Sequence, residues 1–243
     1  MAGIEIVDLK KSYWVEKKEL PVLTGINLTV PERQITVILG RSGCGKTTLL
    51  RLAGGLERPD CGKILCGDGH RMAFVFQEPR LMPWLTVERN AAFGLRKQER
   101  KENAGRIREI IRTVGLEGFE KAYPSQLSGG MKQRAALARA LAYRPSFIMM
   151  DEPFAALDYF TREQMQKELL RVQRAERCSI LFVTHSIDEA LLLGDRIAVI
   201  EGGRIKKEYR MGGGETGGER KLLEEPFIEL KKDILKQLED VKL

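Results

Sequence analysis

Gly40-Arg-Ser-Gly-Cys-Gly-Lys-Thr47 is the segment of this chain best suited to hold phosphate. Glycines at 40, 43 and 45 let the backbone turn so that successive amides point inward. Together with the N-terminus of a following helix, those amides form an anion nest. Lys46 is spaced to reach the β- and γ-phosphates of a nucleoside triphosphate, and the Thr47 hydroxyl to ligate Mg²⁺. Thr48 adds a phosphate contact, while Gly40, Ser42, Gly43, Cys44 and Gly45 contribute through the loop itself. The segment follows the apolar run Ile35–Leu39 and opens a helix near Lys46. That context separates a phosphate loop from an ordinary glycine-rich turn.

Further along, other residues could act on the same ligand. Gln77 closes the apolar run Met72–Phe76. Ser128-Gly-Gly-Met131 opens another helix, where Ser is a preferred N-cap and the same helix start is also an anion site. Phe147-Ile-Met-Met is a buried strand that emerges at Asp151, in the position of a Mg²⁺-orienting aspartate, and Glu152 follows. Alone, an Asp-Glu pair at a strand end is more often a solvated edge. His185 ends the strand Ile180–Val183, and Ser186-Ile-Asp-Glu189 after it has the form of a capping box. Tyr13, with Trp14 beside it, lies in an alternating strand region where an aromatic is often core.

The order of these segments resembles the ATP-binding cassette family, the ATPase subunits that drive membrane transporters. Leu127-Ser-Gly-Gly-Met-Lys-Gln-Arg134, then Phe147 to Glu152, then Ala156-Leu-Asp158, carry the resemblance beyond the phosphate loop, and it covers roughly residues 4 to 205. It implies an α/β fold with a P-loop NTPase core: a mainly parallel sheet with flanking helices, an antiparallel β subdomain and an inserted helical subdomain. It also implies roles. Glu152 is the general base that polarises the attacking water. Gln77 touches Mg²⁺ and that water and signals occupancy to the helical subdomain. His185 is a switch near the γ-phosphate, and Tyr13, or Trp14 beside it as a substitute, stacks on adenine. Ser128, Gly129 and Gly130 bind the γ-phosphate of ATP held by a second copy of the chain, in a head-to-tail dimer sandwiching two ATPs. Asp158 couples the two sites across that interface.

The elements that must position these residues can be read from periodicity. Ile4–Leu9 and Val22–Val30 alternate apolar and polar residues, as half-buried antiparallel strands do. Ile35–Leu39 is continuously apolar, as a buried parallel strand is. Lys63–Cys66 and Met72–Phe76 are further short strands, and the helix from Lys46 ends at Gly54-Gly55. Residues 80 to 127 mix charge and apolar residues at helical spacing, with breaks at Pro83, Gly115, Gly118 and Pro124. They begin a helical subdomain of about 80–143, inserted in a domain of 1–211. The helix after Gly129 runs to about Ala142, before Pro145. A helix of about Thr161–Arg177 joins the strands Phe147–Met150 and Ile180–Val183 in a right-handed crossover. Arg196–Ile200, Gly202-Gly203 and Arg204–Tyr209 form a closing hairpin. Residues 212–218 read as a flexible linker. In 219–243, Phe227, Leu230, Ile234, Leu238 and Val241 recur at helical spacing, and this amphipathic helix covers either its own domain or a partner chain.

Bulk properties narrow the setting. The 243 residues are 43% hydrophobic and 31% charged, ordinary for a soluble globular chain. No run approaches the ~18 apolar residues of a membrane span, and the N-terminus does not read as a secretory signal. The expected location is the cytoplasm, peripheral on the inner face of the membrane, with separate permease subunits spanning it. A periplasmic or extracellular solute-binding protein would then take part indirectly. The net charge of +7 is not gathered with aromatics into a stripe, so a nucleic-acid partner is not expected. Cys61 and Cys66 lack a second pair to complete a zinc site.

Glu78 to Asn90 resembles the nitrate, sulfonate and taurine importer group, and Leu81, Met82 and Trp84 within it are expected to receive a helix from the permease or to be subdomain core. Cys44 is expected to be reactive, because nearby amide dipoles and Lys46 favour the thiolate. The rivals are a soluble cassette ATPase acting on nucleic acid or the ribosome, and a non-enzymatic binding role. The first would bring coiled-coil insertions or a second cassette, the second the loss of Lys46, Asp151 or Glu152. None of these is present in the sequence.

Overall fold

The computed structural model describes residues 3–67, 69–155, 157–211 and 225–239. Their elements run, in chain order, as β1 (Gly3–Val15), β2 (Lys18–Pro31), β3 (Ile35–Leu39), α1 (Lys46–Ala53), β4 (Cys61–Cys66) and β5 (Met72–Val75). Then come α2 (Val87–Ala91), α3 (Lys97–Glu102), α4 (Ala104–Thr113), a 3₁₀ turn at Pro124–Gln126, α5 (Gly129–Ala142), β6 (Phe147–Asp151) and α6 (Tyr159–Glu176). The chain closes with β7 (Ser179–Thr184), α7 (Ile187–Leu193), β8 (Arg196–Glu201), β9 (Arg204–Arg210) and α8 (Glu225–Glu239). It divides into two compact units, residues 1–69 with 179–243, and residues 70–178. The expected linker at 212–218 lies outside the described residues. No helix among the described residues is long and apolar enough to cross a membrane.

The first unit holds an antiparallel sheet, β2-β1-β4, and the strands β7-β3-β8-β9. β3 is buried along its whole length between parallel partners, pairing Ile35 with Ile180 on β7 and Thr36 with Arg196 on β8. This is the position its continuous apolar run requires. β9 returns antiparallel to β8. The joining residues Gly202 and Gly203 both have positive φ, 54° and 72°, as a two-residue hairpin turn of the twist-matched kind demands.

β1 is longer than its alternation indicates. Its register against β2 shifts after Ile6 and again around Leu9, where Asp8 has φ 45°. The bulge interrupts the period-2 pattern, so the strand reads as ending at Leu9 although it continues to Val15. The turn beyond it is made by Glu16 and Lys17 at φ 49° and 66°, without the Asn or Gly that usually marks such a turn.

α8 covers its own unit. Ile234 is fully buried. The Asp233 carboxylate accepts from Lys207 Nζ at 2.7 Å and from the Tyr209 hydroxyl at 2.8 Å. Lys231 Nζ lies 2.5 Å from Asp188 Oδ1 on α7. Of the two occupants open to this amphipathic helix, the structure supplies the first.

In the second unit β5 and β6 run parallel, Met72 beside Phe147 and Val75 beside Met150. α5 is buried at Gln133, Ala135, Ala136, Leu137, Ala138, Ala140, Leu141 and Ala142. Its run of small residues lets neighbours approach on most sides. Asp158 caps α6, its carboxylate accepting from Thr161 N at 3.0 Å, so the helix starts two residues before the expected Thr161. α6 stops where Arg177 turns left-handed, at φ 51°, a conformation more often taken by glycine.

Between β5 and α2 the chain is irregular, and one buried side chain organises its end. Asn90 Oδ1 accepts from Met82 N at 2.8 Å. Its Nδ2 faces the carbonyls of Met82, Leu85 and Thr86 at 3.1, 2.9 and 3.1 Å. A buried loop backbone must find such partners, and a fully buried Asn is tolerated only because all its polar atoms are used.

Candidate nucleotide site

The phosphate loop leaves the carboxyl end of β3 and enters α1. Leu39, the last residue of β3, pairs with Thr184, the last of β7. The loop and His185 therefore leave the sheet side by side, at the end of parallel strands where α/β folds bind ligands. His185 is exposed. Gly45 caps α1 at φ 100°, and a Cβ there would meet Leu23 Cδ2 at 2.7 Å, so this position is closed to other residues. No side chain caps α1 and its first turn carries no acid. A helix start of that kind presents its amides and positive dipole end to an anion.

Lys46 is 5% exposed. Its ammonium donates to the carbonyls of Gly40 and Arg41, each at 2.9 Å, so the loop wraps around its own cation. These features fit a polyphosphate with Mg²⁺, with Lys46, Thr47 and the loop amides as the residues to hold it.

Tyr13 lies on β1 and its hydroxyl donates to Glu57. Burial, then the bond to Glu57, push the phenol above its usual value, the Thr48 hydroxyl acting the other way. Tyr13 is thus held beside the start of α1, whereas Trp14, one residue on and on the opposite strand face, is 75% exposed. Glu57 has no place in the sequence reading, because an acid after a helix carries no local signal of an aromatic partner. After β7, Ser186 caps α7 by accepting from Glu189 N at 3.3 Å. The Ser186 amide donates to Thr184 Oγ1 at 3.0 Å, and that hydroxyl donates to Glu189 Oε2.

The second unit gathers another set. Val75 pairs with Met150, so the segment carrying Gln77 and the segment carrying Asp151 and Glu152 leave β5 and β6 at the same end. Gln77 is exposed, and Asp151 and Glu152 are half-buried. Glu152 has φ 44°, a left-handed conformation costing on the order of 1 kcal/mol for a side chain with a Cβ. The turn that follows is closed by Ala155 N, which donates to Glu152 O at 3.2 Å, and Pro153 within it is buried. Strain of this kind concentrates at functional sites, and nothing in local sequence announces it.

Ser128 caps α5, its hydroxyl accepting from Met131 N at 3.3 Å. A hydroxyl that accepts in this way retains its own hydrogen to donate, so the capping and the anion-binding roles are compatible. Gly129 is exposed. A Cβ on Gly130 would lie 3.3 Å from Thr161 Cγ2 and 3.4 Å from Leu157 Cδ2, so the start of α5 packs tightly against the segment carrying Asp158. The bonds from Thr161 hold the Asp158 carboxyl below the usual carboxylate range.

Cys44 departs from expectation. Burial pushes its thiol above the ordinary value, and the charge of Lys46 and the backbone amides only partly offset it. Desolvation of the thiolate outweighs the dipoles, so Cys44 is not an activated nucleophile. Cys178 is buried too, and burial pushes it up to about 11. Cys61 is exposed. At neutral pH a brief maleimide pulse followed by peptide mapping is expected to label Cys61 first, with Cys44 and Cys178 lagging; labelling of Cys44 as fast as Cys61 would contradict the burial. A raised thiol stabilises the fold fully below the ordinary value of about 8.5, and that contribution is lost as pH rises through the folded value. Thermal stability is therefore expected to fall on the alkaline side of about pH 8.5, and Cys178→Ala to flatten that fall.

Comparison with known proteins gives the same picture. The ABC transporter family model matches residues 23–155. An ABC transporter ATP-binding protein of Methanocaldococcus jannaschii is 45% identical, over 98% of this chain and 91% of its own length. The aliphatic sulfonates import ATP-binding protein SsuB of Bacillus anthracis is 38% identical, over 97% of this chain and 96% of its own. Among solved structures, a dimeric ATP-binding cassette in a post-hydrolysis state with ADP and Pi superposes with a TM-score of 0.75 at 30% identity, over 86% of this chain and 99% of that one. The chain belongs to the ABC transporter family: it is an ATP-binding cassette, an ATPase that works with ATP and Mg²⁺.

Proposed function

We propose that this chain powers solute uptake through a separate membrane permease, as a head-to-tail pair of copies that closes on ATP and reopens on hydrolysis. The observation that carries this reading is that one chain holds one copy of each of two glycine-bearing helix starts without an acid in the first turn, at α1 and at α5, each suited to an anion. Two copies facing each other complete two sites. The solved dimeric cassette supports the pairing, and the relative named for aliphatic sulfonate import supports a solute of the nitrate, sulfonate and taurine group.

In this reading the loop amides and Lys46 hold the β- and γ-phosphates, and Tyr13 stacks on adenine. Thr47, Gln77 and Asp151 hold Mg²⁺, which when bound neutralises charge on the phosphate oxygens. Glu152 accepts the proton of the attacking water as the water oxygen bonds to the γ-phosphorus and the β–γ bridging oxygen leaves. His185 orients Glu152 and the γ-phosphoryl group. Ser128, Gly129 and Gly130 bind the γ-phosphate held by the other copy, and Asp158 links the two sites.

Trp84 is 68% exposed, and Phe93 is exposed as well. Leu81 and Met82 are half-buried. A cavity of about 440 Å³ is lined by Leu85, Arg89, Ala92, Arg100 and Ile107 of the same region. Exposure of Trp84 supports permease docking over a core role for that residue. The solute never touches this chain.

Glu152→Gln is expected to lower ATP turnover by roughly 10²–10⁴, while ATP binding survives and an ATP-bound dimer accumulates in size-exclusion chromatography. Normal hydrolysis, or a variant that stays monomeric in ATP, would refute the role. Trp84→Ser is expected to leave the basal turnover of the isolated subunit near wild type and to abolish co-purification with the permease. A Trp84→Ser subunit that still co-purifies with the permease would refute the docking role.

A further inference from the structure

We propose that Gln133 and Arg139 are positioning residues for Gln77: from α5 they hold residues 76–80 in one conformation, and so tie Gln77 to the helix that opens at Ser128. The segment between β5 and α2 is irregular, so its carbonyls need partners from elsewhere. Three of them take those partners from α5. Gln133 Nε2 donates to Phe76 O at 3.2 Å. Arg139 Nη2 donates to Pro79 O at 2.9 Å, and its Nη1 to Arg80 O at 2.7 Å.

The two side chains grip either side of Gln77-Glu78. Gln133 is buried, at 4% exposure. Burial lowers the Arg139 guanidinium below its ordinary value. Its charge is therefore disfavoured by desolvation, and the two carbonyl contacts help to offset that cost. A planar guanidinium with donors in a rigid fork fixes the direction of two consecutive carbonyls, which a point-charge ammonium cannot do. The far foot of the arc is folded back as well. Arg80 has φ 45° and its guanidinium lies 4.2 Å from the centre of the Phe76 ring, a cation–π contact. Phe76 in turn stacks on Phe74 with centroids 5.6 Å apart. Gln77 thus sits on a short arc whose two feet are both fastened to α5, and any displacement of α5 carries Gln77 with it.

This inference rests on the role given to Gln77 above, and a double-mutant cycle separates the two. Turnover and KM for MgATP are measured on the purified subunit for Arg139→Gln, Gln77→Ala and the pair, with the unfolding midpoint of each. Arg139→Gln is expected to lower kcat about ten- to a hundred-fold, the scale of a mispositioned group, with KM within about twofold. In the Gln77→Ala background it is expected to cost nothing further, because the two act through one side chain. Arg139→Lys is expected to be impaired less than Arg139→Gln. If Arg139→Gln does not fold, Arg139→Lys and Gln133→Met carry the same cycle with the same expectation. An unchanged kcat, or an equal loss in both backgrounds, overturns the inference and leaves the role of Gln77 standing. Wild-type turnover in Gln77→Ala overturns both.

Discussion

Burying the charge of Lys46 is the constraint on which the nucleotide site depends. An ammonium removed from water costs several kcal/mol unless polar groups replace its hydration. Here the carbonyls of Gly40 and Arg41 stand in that place, and they converge only because the chain turns tightly around them. That turn needs the left-handed Gly45 at the start of α1, and it needs β3 to deliver the chain at a fixed point. β3 is buried on both faces, and its register with β7 puts Leu39 level with Thr184. The loop, His185 and the open start of α1 thus follow from one buried strand and one buried cation.

The second unit solves a similar problem twice with capping residues. Ser128 and Asp158 each satisfy an orphan amide at a helix start, at Met131 and Thr161. Each cap contributes about 1 kcal/mol to its helix, and the two starts lie close enough that a Cβ at Gly130 would press on Leu157 and Thr161. The residues given roles at the dimer interface are therefore also those that define where α5 and α6 begin. A side chain that caps a helix is held in one rotamer, and that rigidity suits it to meet a phosphate with little further ordering cost. Strain enters at Glu152, whose backbone is left-handed at the start of the turn that Ala155 N closes on its carbonyl.

Much of this was legible in the residues, because the signals are local. A phosphate loop needs glycines at set offsets between an apolar strand and a helix, and all of these lie within fifteen residues, Ile35 to Leu49. The start of α5, the hairpin at Gly202-Gly203 and the buried strands β3, β6 and β7 carry equally local marks. What was not legible depends on partners distant in sequence. The arm of β1 beyond Leu9 is hidden by the bulge at Asp8 and by a turn without glycine. Asn90 reads as a polar helix residue, and only folding shows that it closes the loop at Met82 to Thr86. Gln133 and Arg139 look like solvent-facing residues on an alanine-rich helix until the carbonyls of Phe76, Pro79 and Arg80 come within reach. Cys44 departs from its sequence because dipoles can be counted from residues, whereas the desolvation that outweighs them depends on the fold.

The most direct measurement of the proposed two-copy site is complementation between two inactive chains. One carries Lys46→Ala, disabling the phosphate loop, and the other Ser128→Arg, blocking the helix start of α5. In a mixed pair, the intact loop of one copy faces the intact Ser128 of the other, so one of the two sites is whole. ATP hydrolysis that appears on mixing and is absent from either variant alone is the expected result. A mixture as inactive as its components, with both variants folded and shown to pair, would contradict a site shared between copies.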